Sequence, residues 1–259
     1  MLRDYPIHAS LATSDVPTAR AWYADKLGWE PTREWPDLLV YDVGHTQFSV
    51  YPTPSAGSAK NTVMFWLVDD LAAEMARLRE RGVTFEEYDF GEIKTVDGVM
   101  SDERGNNTAW FKDADGNILT ILDGPETPTT NVVGPMIASA DLDRSMPWYA
   151  AKLGLEPRQA FEDAVLLYES GGTGFNVYKS EFAGTAKNTV AGWRVPDLKA
   201  EMAELRERGV TFEDYDFGDW KTVDGIMTDP DGGFTAWFVD PDGNVLSVSE
   251  TEESRGPAG

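Results

Sequence analysis

Apolar and polar positions along the chain repeat one short programme four times. An apolar strand leads to a helix with an aspartate at its start, and short strands separated by turn residues follow. In the first quarter the strand is expected at 6–12, the helix at 15–27, and further strands at 29–35, 38–43 and 46–52. In the second, Leu71, Met75 and Leu78 recur at helical spacing after Asp70, and Gly82 can end that helix in the left-handed conformation. Strands are expected after it at 83–88, 107–112 and 117–122, the last two joined by a turn over 113–117. Each quarter is a βαβββ module. Pro147, inside the helix that Asp141 caps, removes a backbone donor and is expected to kink or loosen the first turns.

The third and fourth modules are copies of the first and second. Lys60-Asn61-Thr62-Val63 returns as Lys187-Asn188-Thr189-Val190, and from there to Leu119 and Leu246 the two stretches align without a gap. Roughly two thirds of those positions are identical, which makes the chain a duplication. Trp22-Tyr23 with Trp148-Tyr149, and Leu27-Gly28 with Leu153-Gly154, extend the match toward the start of each copy. Residues 123–131 are rich in Gly, Pro and Thr, contain no apolar side chain and read as a linker. The expected division is therefore domain 1 over 1–124, linker over 125–131, domain 2 over 132–250, and a disordered tail over 251–259.

Composition narrows the chemistry. The formal net charge is −23 at pH 7, and without a basic stripe to offset it, it would repel phosphate backbones and anionic lipid. Neither nucleic acid nor membrane is an expected partner. Solubility or adaptation to salt explains the acidity. No apolar run is long enough to span a bilayer and the first residues lack the features of a signal peptide, so a cytoplasmic location is expected. The chain has no cysteine, which removes disulfides, thiolate catalysis and Cys-containing metal sites. No phosphate loop, nucleophile elbow or dinucleotide fingerprint occurs.

Asp15 followed by Ala21-Trp22-Tyr23 and Lys26-Leu27-Gly28, then Val68-Asp69-Asp70-Leu71, then Trp110-Phe111 and the turn to Asn117 follow one another in the first copy, and each has a match in the second. In this the chain resembles the vicinal oxygen chelate superfamily, of glyoxalase, bleomycin-resistance and extradiol dioxygenase type. The resemblance implies an α+β fold of two tandem domains, each of paired βαβββ modules curling around an open cleft. It implies a site in the cleft and leaves the reaction open.

Metal-using relatives place ligands on strands one, four, five and eight of a domain. The resemblance puts these positions at His8, near Ser49, Val63 and Thr120 in the first copy, and at about Gly134, Asn176, Val190 and Ser247 in the second. Only His8 offers an imidazole and none offers a carboxylate, so no metal is expected, and no other cofactor. His8 is read as a cleft-wall or core histidine, and His45 as an exposed turn residue. The loops Asp113 to Asn117 and Asp240 to Asn244 hint at calcium, but their glycine comes too early and no glutamate stands at the twelfth position, so hairpin turns explain them.

Strand alternation supplies the remaining candidates. Ser49 and Tyr51 should face the cleft, as should Asn176 and Tyr178, while Phe48, Val50, Phe175 and Val177 face the helix. Val63 and Phe65 should line the cleft, with Trp66 and its counterpart Trp193 packed behind. Segments 89–105 and 216–233 are long enough to overhang the cleft as lids. Their Lys94 and Lys221 either hold a ligand anion or pair with an aspartate of their own loop. The candidate ligand-binding set is His8, Ser49, Tyr51, Phe65, Lys94, Thr120, Asn176, Tyr178, Lys221 and Ser247.

Three functions fit. The first is metal-independent binding of a small, largely apolar organic molecule, as in drug-sequestering members of the superfamily. The second is a metal-free lyase, isomerase or hydrolase using Tyr51, His8 or Lys94 as acid or base. The third is a glyoxalase- or dioxygenase-type enzyme with a degraded metal site around His8. The sequence specifies neither the ligand, nor the oligomeric state, nor which cleft works.

Overall fold

The computed structural model describes residues 1–90, 93–125, 131–161, 164–216, 221–228 and 232–251. The expected linker and tail lie outside the described residues except for Pro125, Asn131 and Thr251. The longer strands form curled, open half-barrel sheets, giving an α+β fold of tandem domains built from paired modules around an open cleft. The chain divides into two compact units, one continuous over Ala9–Gly134, the other made of Met1–His8 with Pro135–Gly259.

The first copy contains β1 (Ile7–Thr13), α1 (Val16–Trp22), β2 (Arg33–Trp35), β3 (Leu38–Val43), β4 (Thr46–Pro52), β5 (Thr62–Leu67), α2 (Leu71–Glu80), β6 (Asp89–Phe90), β7 (Ile93–Lys94), β8 (Val99–Ser101), β9 (Asn107–Lys112) and β10 (Ile118–Asp123). Hydrogen bonding orders them β1-β4-β3-β2 and β5-β10-β9-β8, with β6 and β7 as a separate hairpin. The second copy contains β11 (Val132–Ser139), α3 (Leu142–Trp148), β12 (Gln159–Phe161), β13 (Val165–Ser170), β14 (Thr173–Lys179), β15 (Thr189–Arg194), α4 (Leu198–Glu207), β16 (Met227–Thr228), β17 (Phe234–Val239) and β18 (Val245–Glu250). Its orders are β11-β14-β13-β12 and β15-β18-β17-β16.

The four helices start where the aspartates require. Asp15, Asp70, Asp141 and Asp197 each accept from the backbone N–H three residues on, at 2.9, 2.9, 3.2 and 2.9 Å. Gly82 follows α2 with φ +80°, as its place after the last turn demands. Both α1 and α3 run on into a wider π turn, Tyr23–Leu27 and Tyr149–Leu153. Since the first copy has Ala21 where the second has Pro147, the wide turn is not the proline's doing; α3 continues through Pro147, which is solvent-exposed. The turn also explains why β2 is shorter than expected, because the Trp29 N–H is still engaged by the Tyr23 carbonyl at 3.1 Å.

A second departure lies along β9. The strand expected at 83–88 is reduced to a bridge between Phe85 and Phe111, with the Glu86 N–H bonded to the Trp110 carbonyl at 2.8 Å. Farther along the same edge β8 pairs Val99 with Ala109, so part of the expected lid is built into the sheet. The second copy does the same with Phe212↔Phe238 and Met227↔Thr235.

Aromatic residues fill the layer between helices and sheets. Tyr41 stacks on Phe48 at 4.7 Å with Tyr23 tilted above them, and Tyr168, Phe175 and Tyr149 repeat the cluster. Trp66 and Trp193 are buried behind β5 and β15, as alternation required. Trp193 is held by its indole N–H, which donates to Ser170 Oγ at 2.9 Å. That hydroxyl in turn donates to the carbonyl of Leu2 at 2.7 Å or of Tyr5 at 2.8 Å. Leu2 and Ile7 are buried as well, and the first eight residues belong to the second copy's unit.

The turns before β10 and β18 are hairpins, and their leading aspartates are buried. Asp113 accepts from Tyr23 Oη at 2.9 Å, from Asn117 Nδ2 at 2.7 Å and from the N–H groups of Asp115 and Asn117 at 3.0 and 2.9 Å. Asp240 repeats this with Tyr149, Asn244 and Asp242. Burial raises both carboxyl pKa values above the ordinary aspartate range, although the hydrogen bonds to Asn117 and Tyr23 in one case, and to Asn244 in the other, pull downward.

A raised carboxyl binds its proton more readily folded than unfolded. The stability it adds is complete below the unfolded value of 3.8 and is lost as pH rises through the folded value. The thermal midpoint is therefore expected to rise as pH is lowered from neutral toward 3.8 at constant ionic strength. Each carboxyl contributes at most about 1.4 kcal/mol per pH unit. Calorimetry across that window checks it: a flat or falling midpoint contradicts the raised values. An unchanged slope in the Asp113→Asn, Asp240→Asn double variant assigns the effect to net charge alone.

Candidate functional site: the cleft walls of the two copies

In the unit Ala9–Gly134, parallel pairing of β1 with β4 sets Ser10 beside Ser49 and Ala12 beside Tyr51. Phe48 is buried against Tyr23 on the helix-facing side, so alternation puts Ser49 and Tyr51 on the opposite face of the strand. Ser49 Oγ donates to Ser10 Oγ at 3.4 Å, and Tyr51 is half-buried.

The β5, β10 and β9 wall differs from expectation in register. Pairing jumps from Thr62↔Ile118 to Met64↔Leu119, so Val63 is the extra residue of a bulge, and Phe65 stands beside Thr120. Thr120 Oγ1 donates to the Ala109 carbonyl at 3.1 Å, which ties its hydroxyl to the sheet backbone. Trp110 lies across from Thr120 on β9, with Tyr88 packed edge-on against it at 5.5 Å. Both rings are half-buried. Alternation along β9, with Ala109 and Phe111 buried behind, was the signal that could have placed Trp110 on the cleft face.

In the other unit, Met136 pairs with Asn176 and Ala138 with Tyr178, and Asn176 Nδ2 reaches Met136 Sδ at 3.5 Å. The β15, β18 and β17 wall has the same bulge, now at Val190, so that Gly192 stands beside Ser247 and Ser247 across from Trp237. Trp237 Nε1 donates to Thr189 Oγ1 at 3.1 Å, and Tyr215 packs edge-on against the indole at 5.7 Å.

Gly192 is needed here for close approach. A methyl group added to it would lie 2.4 Å from Ser247 Oγ and 3.4 Å from His8 Cε1. The structure thus brings His8 together with Ser247, which the copy-by-copy reading had placed in separate sets. The reason is that residues up to His8 belong to the second copy's unit. Strand alternation also puts Arg194 on this face, beside Ser249 and with Trp193 buried between it and Gly192. Sequence reasoning missed Arg194, although its place two residues after Gly192 was a usable signal.

Lys94 and Lys221 stand outside the strands that form these walls. Lys94 Nζ pairs with Asp89 Oδ2 of its own hairpin at 2.8 Å, with both side chains exposed. Lys221 is exposed and its backbone bridges to Asp216. His45 is exposed in the turn after β3.

The donors at the His8 wall are one imidazole and one hydroxyl. Among the described residues no group of three or more His, Cys, Asp or Glu side chains converges on a point where an ion could sit. A divalent ion needs several charged or imidazole ligands, and these residues do not fit one.

Residues 6–121 match the model of the Glyoxalase/Bleomycin resistance protein/Dioxygenase superfamily. The repeated domain belongs to that superfamily. Among solved structures, glyoxalase I from Zea mays is similar at 16% identity and TM-score 0.65, covering 94% of this chain and 91% of that one. A putative dioxygenase from Bacillus subtilis subsp. subtilis str. 168 is similar at 15% identity and TM-score 0.63, covering 97% of this chain and 87% of that one. Likeness at this level shows that the superfamily's fold extends over both copies, and it carries no activity across. No curated protein matches the sequence. None of the described helices is long and apolar enough to cross a membrane.

Proposed function

We propose that the protein is a cytoplasmic, metal-independent member of the superfamily that binds a small, largely apolar organic molecule in its clefts. The observation that carries this reading is the edge-on aromatic pair repeated on the cleft face of each copy, Tyr88 with Trp110 and Tyr215 with Trp237. A half-buried indole braced by a second ring offers a flat apolar surface at small entropic cost. Phe65 extends that surface in the first copy. The side chains at the positions where metal-using relatives place ligands supply hydrogen bonds and van der Waals contact, which suffice for enclosure.

The test uses a neutral, environment-sensitive probe, N-phenyl-1-naphthylamine, titrated into the full chain. Trp110→Ala, Trp237→Ala, Tyr51→Ala and Tyr178→Ala are each expected to weaken binding, by about 1–3 kcal/mol where the ring stacks on the probe. His45→Ala and Lys94→Ala should leave it nearly unchanged. Unaltered affinity in all four aromatic variants, with folding intact, moves the site out of these clefts. Elemental analysis of the purified protein tests the other half, since a full equivalent of transition metal that disappears in His8→Ala defeats metal independence.

A further inference from the structure

The duplication supplies an internal comparison, because equivalent positions of the two walls can be set side by side. The aromatic pair is kept, Trp110 and Tyr88 against Trp237 and Tyr215, while the floor beneath it is not. Phe65 of the first copy is Gly192 in the second, Leu67 is Arg194, and Thr120 is Ser247. The room that Gly192 leaves is taken by an imidazole, since His8 Cε1 lies 3.4 Å from where a side chain would start. The residue equivalent to His8 in the repeat is Gly134, which belongs to the same unit as Phe65. One wall therefore carries Phe65 and Leu67, and the other carries Ser247 and Arg194 on one face of β15 and β18, with the His8 imidazole of β1 set against Gly192.

Resting on the binding function proposed above, we propose that the wall of β15, β18 and β17 with His8 selects a planar organic acid. Its ring lies on Trp237 and its carboxylate is held by Arg194, with His8 and Ser247 donating hydrogen bonds. A guanidinium on a strand face offers two parallel N–H groups to a carboxylate, which a neutral amide of the same shape cannot match. The first copy's wall, with Leu67 in that place, makes no such distinction.

Isothermal calorimetry on the full chain with 1-naphthoate and 1-naphthamide tests this. Naphthoate is expected to bind at least about tenfold more tightly than naphthamide, the factor that one charge-assisted pair supplies. Arg194→Leu, which restores the first copy's residue, should abolish the preference, Arg194→Lys should keep part of it, and His45→Ala, in an exposed turn, should leave it intact. Circular dichroism melts confirm that each variant folds. Equal binding of the two probes to the unaltered chain overturns the proposal, as does a preference that survives Arg194→Leu. If N-phenyl-1-naphthylamine binds and neither naphthoate nor naphthamide does, the acid-selective wall is wrong and the binding function stands. If none of the three binds, both fall.

Discussion

Trp193→Ala is expected to lower the unfolding free energy by about 3–5 kcal/mol, the range for deleting a fully buried aromatic side chain. Trp193 has no exposed surface, stacks on Phe238 at 6.4 Å, and donates to Ser170, the hydroxyl that ties down the first residues of the chain. The change therefore opens a cavity and removes a hydrogen bond at the same place. Its counterpart Trp66 separates the two effects. Trp66 is also buried, but its Nε1 has no partner, because the position equivalent to Ser170 in the first copy is Val43. Trp66→Phe then discards an unsatisfied N–H, whereas Trp193→Phe breaks a bond worth about 1 kcal/mol. Urea unfolding of both phenylalanine variants measures the difference. Equal losses would mean that the Trp193 hydrogen bond contributes nothing net.

Asp113→Ala and Asp240→Ala are each expected to cost about 3–5 kcal/mol, as when one partner of a buried charged network is removed. Alanine at Asp113 strands the Tyr23 hydroxyl, the Asn117 amide and two backbone N–H groups, all bonded to one carboxylate in a buried site. It also uncouples the hairpin between β9 and β10 from the π turn that follows α1. Burial raises this carboxyl's pKa in spite of those bonds, so its charge is not comfortable there. The neutral isostere Asp113→Asn should accordingly cost less than alanine. Chemical denaturation of the three variants checks the order, and an alanine variant no worse than asparagine would dismiss the hub. Millimolar calcium should leave the melting temperature unmoved, since both carboxylate oxygens are engaged within the fold.

Much of this architecture was legible because local chemistry dictates it. The aspartate caps fixed all four helix starts, Gly82 fixed a helix end, and alternation put Phe48, Trp66 and Trp193 behind the sheets and Ser49 and Tyr51 in front. What escaped depends on contacts between distant residues. The bulges at Val63 and Val190 shift the register by one, which is why Phe65 and Gly192, not Met64 and Ala191, stand beside Thr120 and Ser247. Nothing within β1 says that His8 packs on Gly192, because that contact belongs to a unit whose parts are far apart in sequence. Asp113 looked like an ordinary turn residue since its partner Tyr23 lies 90 residues away.

That separation has a consequence for how the chain acquires its fold. Ser170 and the Leu2 carbonyl it bonds are 168 residues apart, and the intervening unit, Ala9–Gly134, is continuous. Closing so long a loop costs entropy before any contact rewards it, and contacts of this range slow folding. During synthesis Leu2 and Ile7 emerge well before the second copy's strands that bury them. The continuous unit can condense as soon as it is made, while the split one must recapture a segment at the opposite end of the chain. Refolding from denaturant should accordingly show a fast phase followed by a slower one, and the slow phase alone should follow the packing of Trp193 against Ser170.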